Sequence, residues 1–427
     1  MADPERRGRP SALFIAPILP NDRGNGLAMR TGFFLDAYAK RFEIDLAVVP
    51  LAGATKELTS FVDARIRRAA VLPLARDTHF ALISGIADPK AQLAAFRTYA
   101  RPSIVAGLSA ELERVLLAFV ADAVYDLVHV SRLYLASLAA AWMGAKGRGG
   151  CLVVDCDEDD ASAYRRLARL YRNWGRGRRA DWAEAEADAF KALAARWLPN
   201  FDLRLAASAG EARRLSARAE GAEVAVVPNV VPLSVNRFAP YPPPGGRRDI
   251  VFVGTLGYLP NIDAALWFAK RVWPRLRAAV PFPLRFVIAG QGAPREVMDL
   301  ARQSGIVVLG NFDDAAPLYR RAALAVVPIR AGGGTRIKLL ESAKYGVPVV
   351  ATRFGAAGTG FRSGQELLLA DNERDFAACC ARLLTDGELA SRLRAQALRK
   401  VRHDYDARSI AAGLLGKIAA GCRKGVK

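Results

Sequence analysis

A chain of 427 residues with 52% hydrophobic content has room for two large domains. No uncharged apolar run reaches the roughly 18 residues that a transmembrane helix needs, and the charged, polar start (Met1 to Pro10) reads as carrying no secretory leader. Five cysteines without a C-x-x-C pair and only three histidines argue against a zinc site and fit a reducing cytosol, while a net charge of +20 favours anionic partners: nucleic acid, anionic lipid or phosphorylated substrates.

The first half alternates strands and helices. Ala12 to Ile18 reads as a strand running into the turn-rich loop Leu19-Pro-Asn-Asp-Arg-Gly-Asn-Gly26, and a helix follows from about Ala28 to Arg41. Further strands are expected at Ile44 to Val49, Leu127 to Val130, Cys151 to Asp155, Leu203 to Ala207 and Val224 to Val227. Within this half, Arg165, Arg166, Arg169, Arg172, Arg176, Arg178 and Arg179 interleave with Tyr164, Tyr171, Trp174 and Trp182. Such a stretch is either a surface for RNA or an anionic membrane, or a solvated helix–loop segment. No recognisable RNA- or DNA-binding motif accompanies it, so no specific nucleic acid is expected.

From 228 to 248 the composition changes to a hinge: Pro228, Pro232, Pro240, Pro242, Pro243 and Pro244, then Gly245-Gly246. A second α/β series follows. It has strands at Ile250 to Val253, Leu284 to Ala289, Val307 to Leu309, Leu324 to Val327 and Val347 to Ala351, with a helix near Ile262 to Val280. The division is thus 1–227, a hinge at 228–248, 249–403, and a helical tail at 404–427. Strands alternating with helices predict two parallel sheets, and a ligand site at their carboxyl edges.

The segment richest in chemistry runs from Val326 to Pro348. A strand ends at Ile329, Gly332, Gly333 and Gly334 form a loop, Thr335 is placed to cap a helix, and Gly346 and Pro348 stop it. Free N–H groups and the helix dipole both point at that loop, which makes it an anion site. Arg336 and Lys338 occupy the first turn, where the dipole disfavours cations, and Lys338 precedes Glu341 by three, the less favoured order. Local rules broken together mark functional sites. Gly334, Lys338 and Glu341 share a helix face. A nucleotide diphosphate would set its phosphates at the loop with Arg336 or Lys338, and its ribose hydroxyls at Glu341. The alternative is a surface Lys338–Glu341 pair on an ordinary helix.

Five stretches carry a resemblance: Val251-Phe-Val-Gly-Thr-Leu-Gly-Tyr-Leu-Pro-Asn261, Ile288-Ala-Gly-Gln-Gly292, Leu309-Gly-Asn-Phe312, Gly332-Gly-Gly-Thr-Arg-Ile-Lys-Leu-Leu-Glu341 and Tyr345-Gly-Val-Pro-Val-Val350. Together they resemble the group 1 retaining glycosyltransferases of the GT-B fold, most closely over Ile250 to Leu369. The resemblance implies an α/β protein of two Rossmann-like parallel-sheet domains facing across a cleft. The first domain would take a sugar or lipid-linked acceptor and the second a nucleotide-diphosphate sugar, with no metal and no cofactor. Glu341 would hold the donor ribose, and Arg336 and Lys338 the departing diphosphate. Gly254, Gly290 and Gly332 to Thr335 would line the donor, with Asn311 and Phe312 beside its base. The family's first paired acid would fall at Gly333 and is absent, as in a subgroup with the G-G-G-T-R-x-K form. Gly24, Gly26 and Arg30, read in the first helical turn, resemble the family's first glycine loop. Arg30 then meets a phosphate or sugar acid, or belongs to a loop–helix junction. Ser131 stands where an active-site histidine often sits, and His129 fits a core histidine.

Cys151-Leu-Val-Val-Asp-Cys-Asp-Glu-Asp-Asp160 gives a competing signal. Asp155 and Asp157 form a D-x-D pair, which elsewhere binds divalent metal. The phosphatase version of this pattern wants Thr or Val at 159, where Asp159 stands. An acidic helix start is equally compatible. The rivals to a glycosyltransferase are therefore a nucleotide-sugar epimerase, a non-catalytic binding protein and a metal-dependent phosphohydrolase. The expected location is the cytoplasm, with peripheral contact at the inner membrane face if the basic stretch meets lipid.

Overall fold

The computed structural model describes residues 9–52, 57–121, 123–146, 150–231, 248–310, 314–334 and 337–422. The chain divides into two units, Met1–Pro228 with Ala407–Lys427, and Asn229–Asp406.

The first unit is built on β1 (Ser11–Ala16), β2 (Glu43–Val48), β3 (Arg68–Val71), β4 (Leu127–Ser131), β5 (Cys151–Asp157), β6 (Leu203–Ala206) and β7 (Ala225–Val226). All pair in parallel, in the order β3-β2-β1-β4-β5-β6-β7. Helices cover both faces, so β1 is apolar throughout rather than alternating. Leu13 and Ile15 enter one core, and Ala12, Phe14 and Ala16 the other. Phe34, Leu35 and Tyr38 of the Gly26–Tyr38 helix close the second core, together with Ala411, Leu414, Leu415 and Ile418 of the Ala407–Cys422 helix. The Ala407–Cys422 helix thus packs into this core.

Strand β3 was not legible in the sequence. It is a four-residue edge strand that begins at an arginine, and its pairing is bound up with a buried carboxylate on β2. Asp45 accepts from Arg67 (2.8 Å), Arg68 (3.0 Å) and the Tyr125 hydroxyl (2.6 Å). No local apolar pattern announces such a strand.

The second unit carries β8 (Arg248–Val253), β9 (Leu284–Ala289), β10 (Ile306–Leu309), β11 (Ala322–Val327), β12 (Val349–Ala351) and β13 (Leu368–Leu369), again all parallel, in the order β10-β9-β8-β11-β12-β13. The expected helix over Ile262 to Val280 is three pieces: Leu259–Trp267, a wide π turn Phe268–Val272, and Trp273–Ala279. Pro274 explains the break, since it has no N–H for the carbonyl one turn back and its ring crowds that carbonyl. Strand β12 starts two residues later than expected because Pro348 cannot donate to a ladder.

Both sheets therefore have the strand order of dinucleotide-binding folds, with the first and fourth strands adjacent at the point where the order reverses. In the first unit that point lies between β1 and β4. In the second it lies between β8 and β11, and ligands bind outside the carboxyl ends of such strands.

Candidate active site

The motif glycines of the second unit gather at its switch point. Gly254 directly follows β8, and its N–H donates to Ala289 at the end of β9 (3.0 Å). The Gly290 N–H donates in turn to Leu309 at the end of β10 (3.1 Å). The Gly332–Gly334 loop leaves the end of β11. Gly332 has φ +100°, and a Cβ there would lie 2.8 Å from the Tyr258 hydroxyl oxygen and 3.0 Å from Pro260 Cγ. Only glycine tolerates both the backbone and the contact. A Cβ on Gly254 would lie 2.8 Å from Lys338 Nζ, so that glycine makes room for the lysine.

Lys338 sits in the first turn of the Ile337–Lys344 helix, and its ammonium donates to Asn261 Oδ1 at 2.7 Å. It lies 4.8 Å from the centre of the Phe252 ring on β8. Glu341, one turn on, is turned instead toward Tyr319, whose hydroxyl lies 3.5 Å from Oε2. Burial raises the Glu341 pKa above the ordinary carboxylate range, while Lys344 and Lys338 oppose that shift. Tyr319 stacks on Tyr345 at 5.5 Å, making an aromatic wall beside the carboxylate. In this geometry the lysine reaches for the end of β8, and the glutamate is half-buried beside Tyr319. Thr335, Arg336, Asn311 and Phe312 lie outside the described residues, as does most of the 228–248 hinge.

Sequence reasoning passed over Asn261, Asp263 and Arg330. Asp263 is buried and forms a two-pronged bond with Arg330 (2.9 and 2.7 Å), whose guanidinium lies 5.4 Å from the Trp267 ring centre. A signal existed: Asp263 is the one acid in the apolar run Ile262 to Phe268, and buried acids need partners.

The first unit's switch point is occupied differently. Gly24 has φ +98° in the loop after β1, and Gly26 opens the helix behind its cap Asn25, whose side chain accepts from Ala28 N at 2.9 Å. Arg30 falls in the second turn, not the first. It is 2% exposed, grips Asp155 with Nε (2.7 Å) and Nη2 (2.6 Å), and donates from Nη1 to the Val227 carbonyl (3.1 Å). That placement supports the junction reading of Arg30 and gives a phosphate role no geometric support. Ser131 is buried, 3.2 Å from His129 Nε2. His129 also meets the Tyr38 hydroxyl (2.9 Å), and burial together with Arg30 depresses its pKa well below the usual value. It is a satisfied, neutral core histidine.

The acids of the D-x-D region are taken up by arginines. Asp155 is held by Arg30; Arg132 meets Asp157 (3.2 Å), Glu158 (3.3 Å) and Asp160 (2.5 Å); Arg218 holds Asp159 (2.7 Å). Burial, partly offset by Arg132, pushes the Asp160 pKa up to about 8. Among the described residues, no group of three or more His, Cys, Asp or Glu is arranged to hold a metal ion.

Residues 247–386, which span this second switch point, match the family model described as Glycosyl transferases group 1. Over this stretch, about a third of the chain, the protein is similar to the group 1 glycosyltransferases. Among curated relatives is the glycogen synthase of Mycobacterium tuberculosis, 28% identical over 199 residues, which are 44% of this chain and 47% of that one. The chain spans about a third to a half of the length of the curated relatives it matches. Among solved structures, sucrose-phosphate synthase from Thermosynechococcus elongatus superposes with a TM-score of 0.65 at 15% identity, over 98% of this chain and 100% of that one. Anabaena HepE in complex with UDP and glucose gives 0.61 at 14% identity, over 96% and 99%. At such identities the likeness is one of fold: two parallel-sheet α/β units, as in GT-B proteins.

Proposed function

We propose that the protein transfers a sugar from a nucleotide-diphosphate donor to a sugar or lipid-linked acceptor, with retention of anomeric configuration and without a metal ion. The observation that carries this reading is the switch point of the second sheet. There a glycine loop, an ammonium held at the end of β8 and a half-buried carboxylate one helical turn away follow one another as phosphates and ribose do along a nucleotide. As the glycosidic bond breaks, negative charge grows on the diphosphate. Lys338, with Arg336 and the loop N–H groups, stabilises that charge in the transition state. Glu341 accepts hydrogen bonds from the ribose hydroxyls and fixes the donor's register. With Gly333 in place of the family's first acid, the transferred sugar is held by other groups.

The test begins with nucleotide sugars screened by thermal shift, UDP-sugars first because the HepE neighbour holds UDP. A donor at a hundred times its dissociation constant adds about 2.7 kcal/mol. Transfer is then followed in the presence of a chelator, and the product's anomeric centre is assigned by NMR. An inverted product removes retention, and activity restored only by magnesium or manganese removes the metal-free mechanism. Conversion of the donor without any acceptor moves the protein to an epimerase.

A further inference from the structure

The N-terminal part of the Leu259–Trp267 helix, with its cap Tyr258, touches the glycine loop at both ends and in the middle. Asp263 holds Arg330, two residues before Gly332, with bonds of 2.9 and 2.7 Å. Tyr258 and Pro260 pack against Gly332 itself. Asn261, 7% exposed, receives the Lys338 ammonium beyond the loop at 2.7 Å.

The Asn261 side chain has one orientation. Its Nδ2 donates to the Thr255 carbonyl at 2.8 Å, a group that only accepts, so Oδ1 faces Lys338, a group that only donates. Two further features keep the lysine there. Gly254 leaves the space its Nζ fills, and Phe252 lies beneath it.

The chemical identity of the acceptor matters. A carboxylate at this position would hold the ammonium more tightly, but would cancel its charge and repel an incoming diphosphate. A neutral amide fixes the ammonium's position and leaves its charge to act on a ligand.

We propose that Asn261 is a positioning residue for the donor diphosphate: it presents the Lys338 ammonium at the mouth of the Gly332–Gly334 loop without itself adding a counter-charge. This rests on reading that loop as the donor site. A residue that only stabilises the fold would give a different order of variants, because Asn261→Asp preserves the hydrogen bond to Lys338 whereas Asn261→Ala deletes it.

The experiment measures binding of UDP, GDP, ADP and dTDP by calorimetry, then compares wild type, Asn261→Ala, Asn261→Asp and Lys338→Ala with the tightest of the four. Melting temperatures are read in parallel. The expected result is affinity reduced about tenfold in Asn261→Ala, the size of a lost hydrogen bond to a charged group. Asn261→Asp is expected to bind more weakly still, while melting no lower than Asn261→Ala. Asn261→Asp binding better than Asn261→Ala, or affinity that simply tracks melting temperature, overturns the proposal in favour of a structural role. Asn261→Ala binding like wild type while Lys338→Ala is weakened also overturns it, and leaves the donor-site reading standing. No binding of any nucleotide, or wild-type binding by Lys338→Ala, removes the donor-site reading and this inference with it.

Discussion

Glu341, proposed to hold the donor ribose, sits where its charge works against stability. Its half-buried carboxylate lies beside Tyr319, and desolvation there raises its pKa. The native state therefore holds a proton on this group more readily than the unfolded chain does. Its contribution to stability falls as pH rises from the unfolded carboxylate range through the raised native value. At neutral pH the ionised group opposes folding, so Glu341→Gln should melt at or above the wild-type temperature at pH 7, with the difference closing toward pH 4. The same variant should bind a nucleoside diphosphate about ten- to a hundredfold more weakly, the range of hydrogen bonds to a charged group. Calorimetry and melting at the two pH values check both halves, and wild-type affinity would remove Glu341 from the ribose. This residue and Lys338 were legible because their charges run against the dipole of their own helix. Asn261 was not, because one amide in a loop–helix turn has no pattern; only the fold brings it to Lys338, 77 positions away.

Elements of the first unit are joined by a buried ion pair rather than by a ligand. Arg30 links the Gly26–Tyr38 helix to Asp155 on β5 and to the Val227 carbonyl after β7, and both side chains are shielded from solvent. Removing one partner of such a pair leaves an uncompensated buried charge, at a cost of about 3–5 kcal/mol. Arg30→Met should therefore lower the melting of the first unit by about 6–20 °C for a domain of this size. Nucleoside diphosphate binding, which the proposed function assigns to the second unit, should survive. A variant that melts like wild type would show that the pair holds nothing together. The sequence placed Arg30 and Asp155 on neighbouring candidate features but could not pair them. Their separation of 125 positions is closed only by the order β1-β4-β5. Element ends shifted for local reasons of backbone chemistry, as at Pro274 and Pro348.

Over the whole molecule the charge is spread unevenly in role. The helices Asp160–Asn173 and Gly177–Trp197 carry the arginine-rich stretch, but two of its aromatic residues face inward: Tyr164 stacks on Phe190 at 5.2 Å and Trp182 packs on Phe96 at 4.8 Å. Arg172 is paired with Glu184 at 2.6 Å and Arg165 with Asp188 at 3.3 Å. That leaves Arg169, Arg178 and Arg179 among the exposed cations of the stretch. No helix among the described residues is long and apolar enough to cross a membrane. If the protein works against an anionic lipid surface, it should sediment with anionic vesicles at low salt and release at high salt, because exposed charges are screened within about 10 Å at 0.1 M. Replacing Arg178 and Arg179 by glutamate should weaken that binding severalfold. Equal binding to neutral vesicles would remove lipid electrostatics from the account.

The amino-acid sequence by itself determined the α/β class, eleven of the thirteen described strands close to their true bounds, and the glycine loop that leads to Lys338 and Glu341. Each of these is written in a local pattern: an apolar run, a turn residue, a helical spacing, a charge set against a dipole. The tertiary structure decided what depends on partners distant in the chain. It put the C-terminal helix into the first core, turned the D-x-D acids toward arginines, buried His129 as a neutral core group and brought Asn261 to Lys338. Burial and pairing set the charge state and availability of a side chain, and both are properties of neighbours that the chain order does not contain.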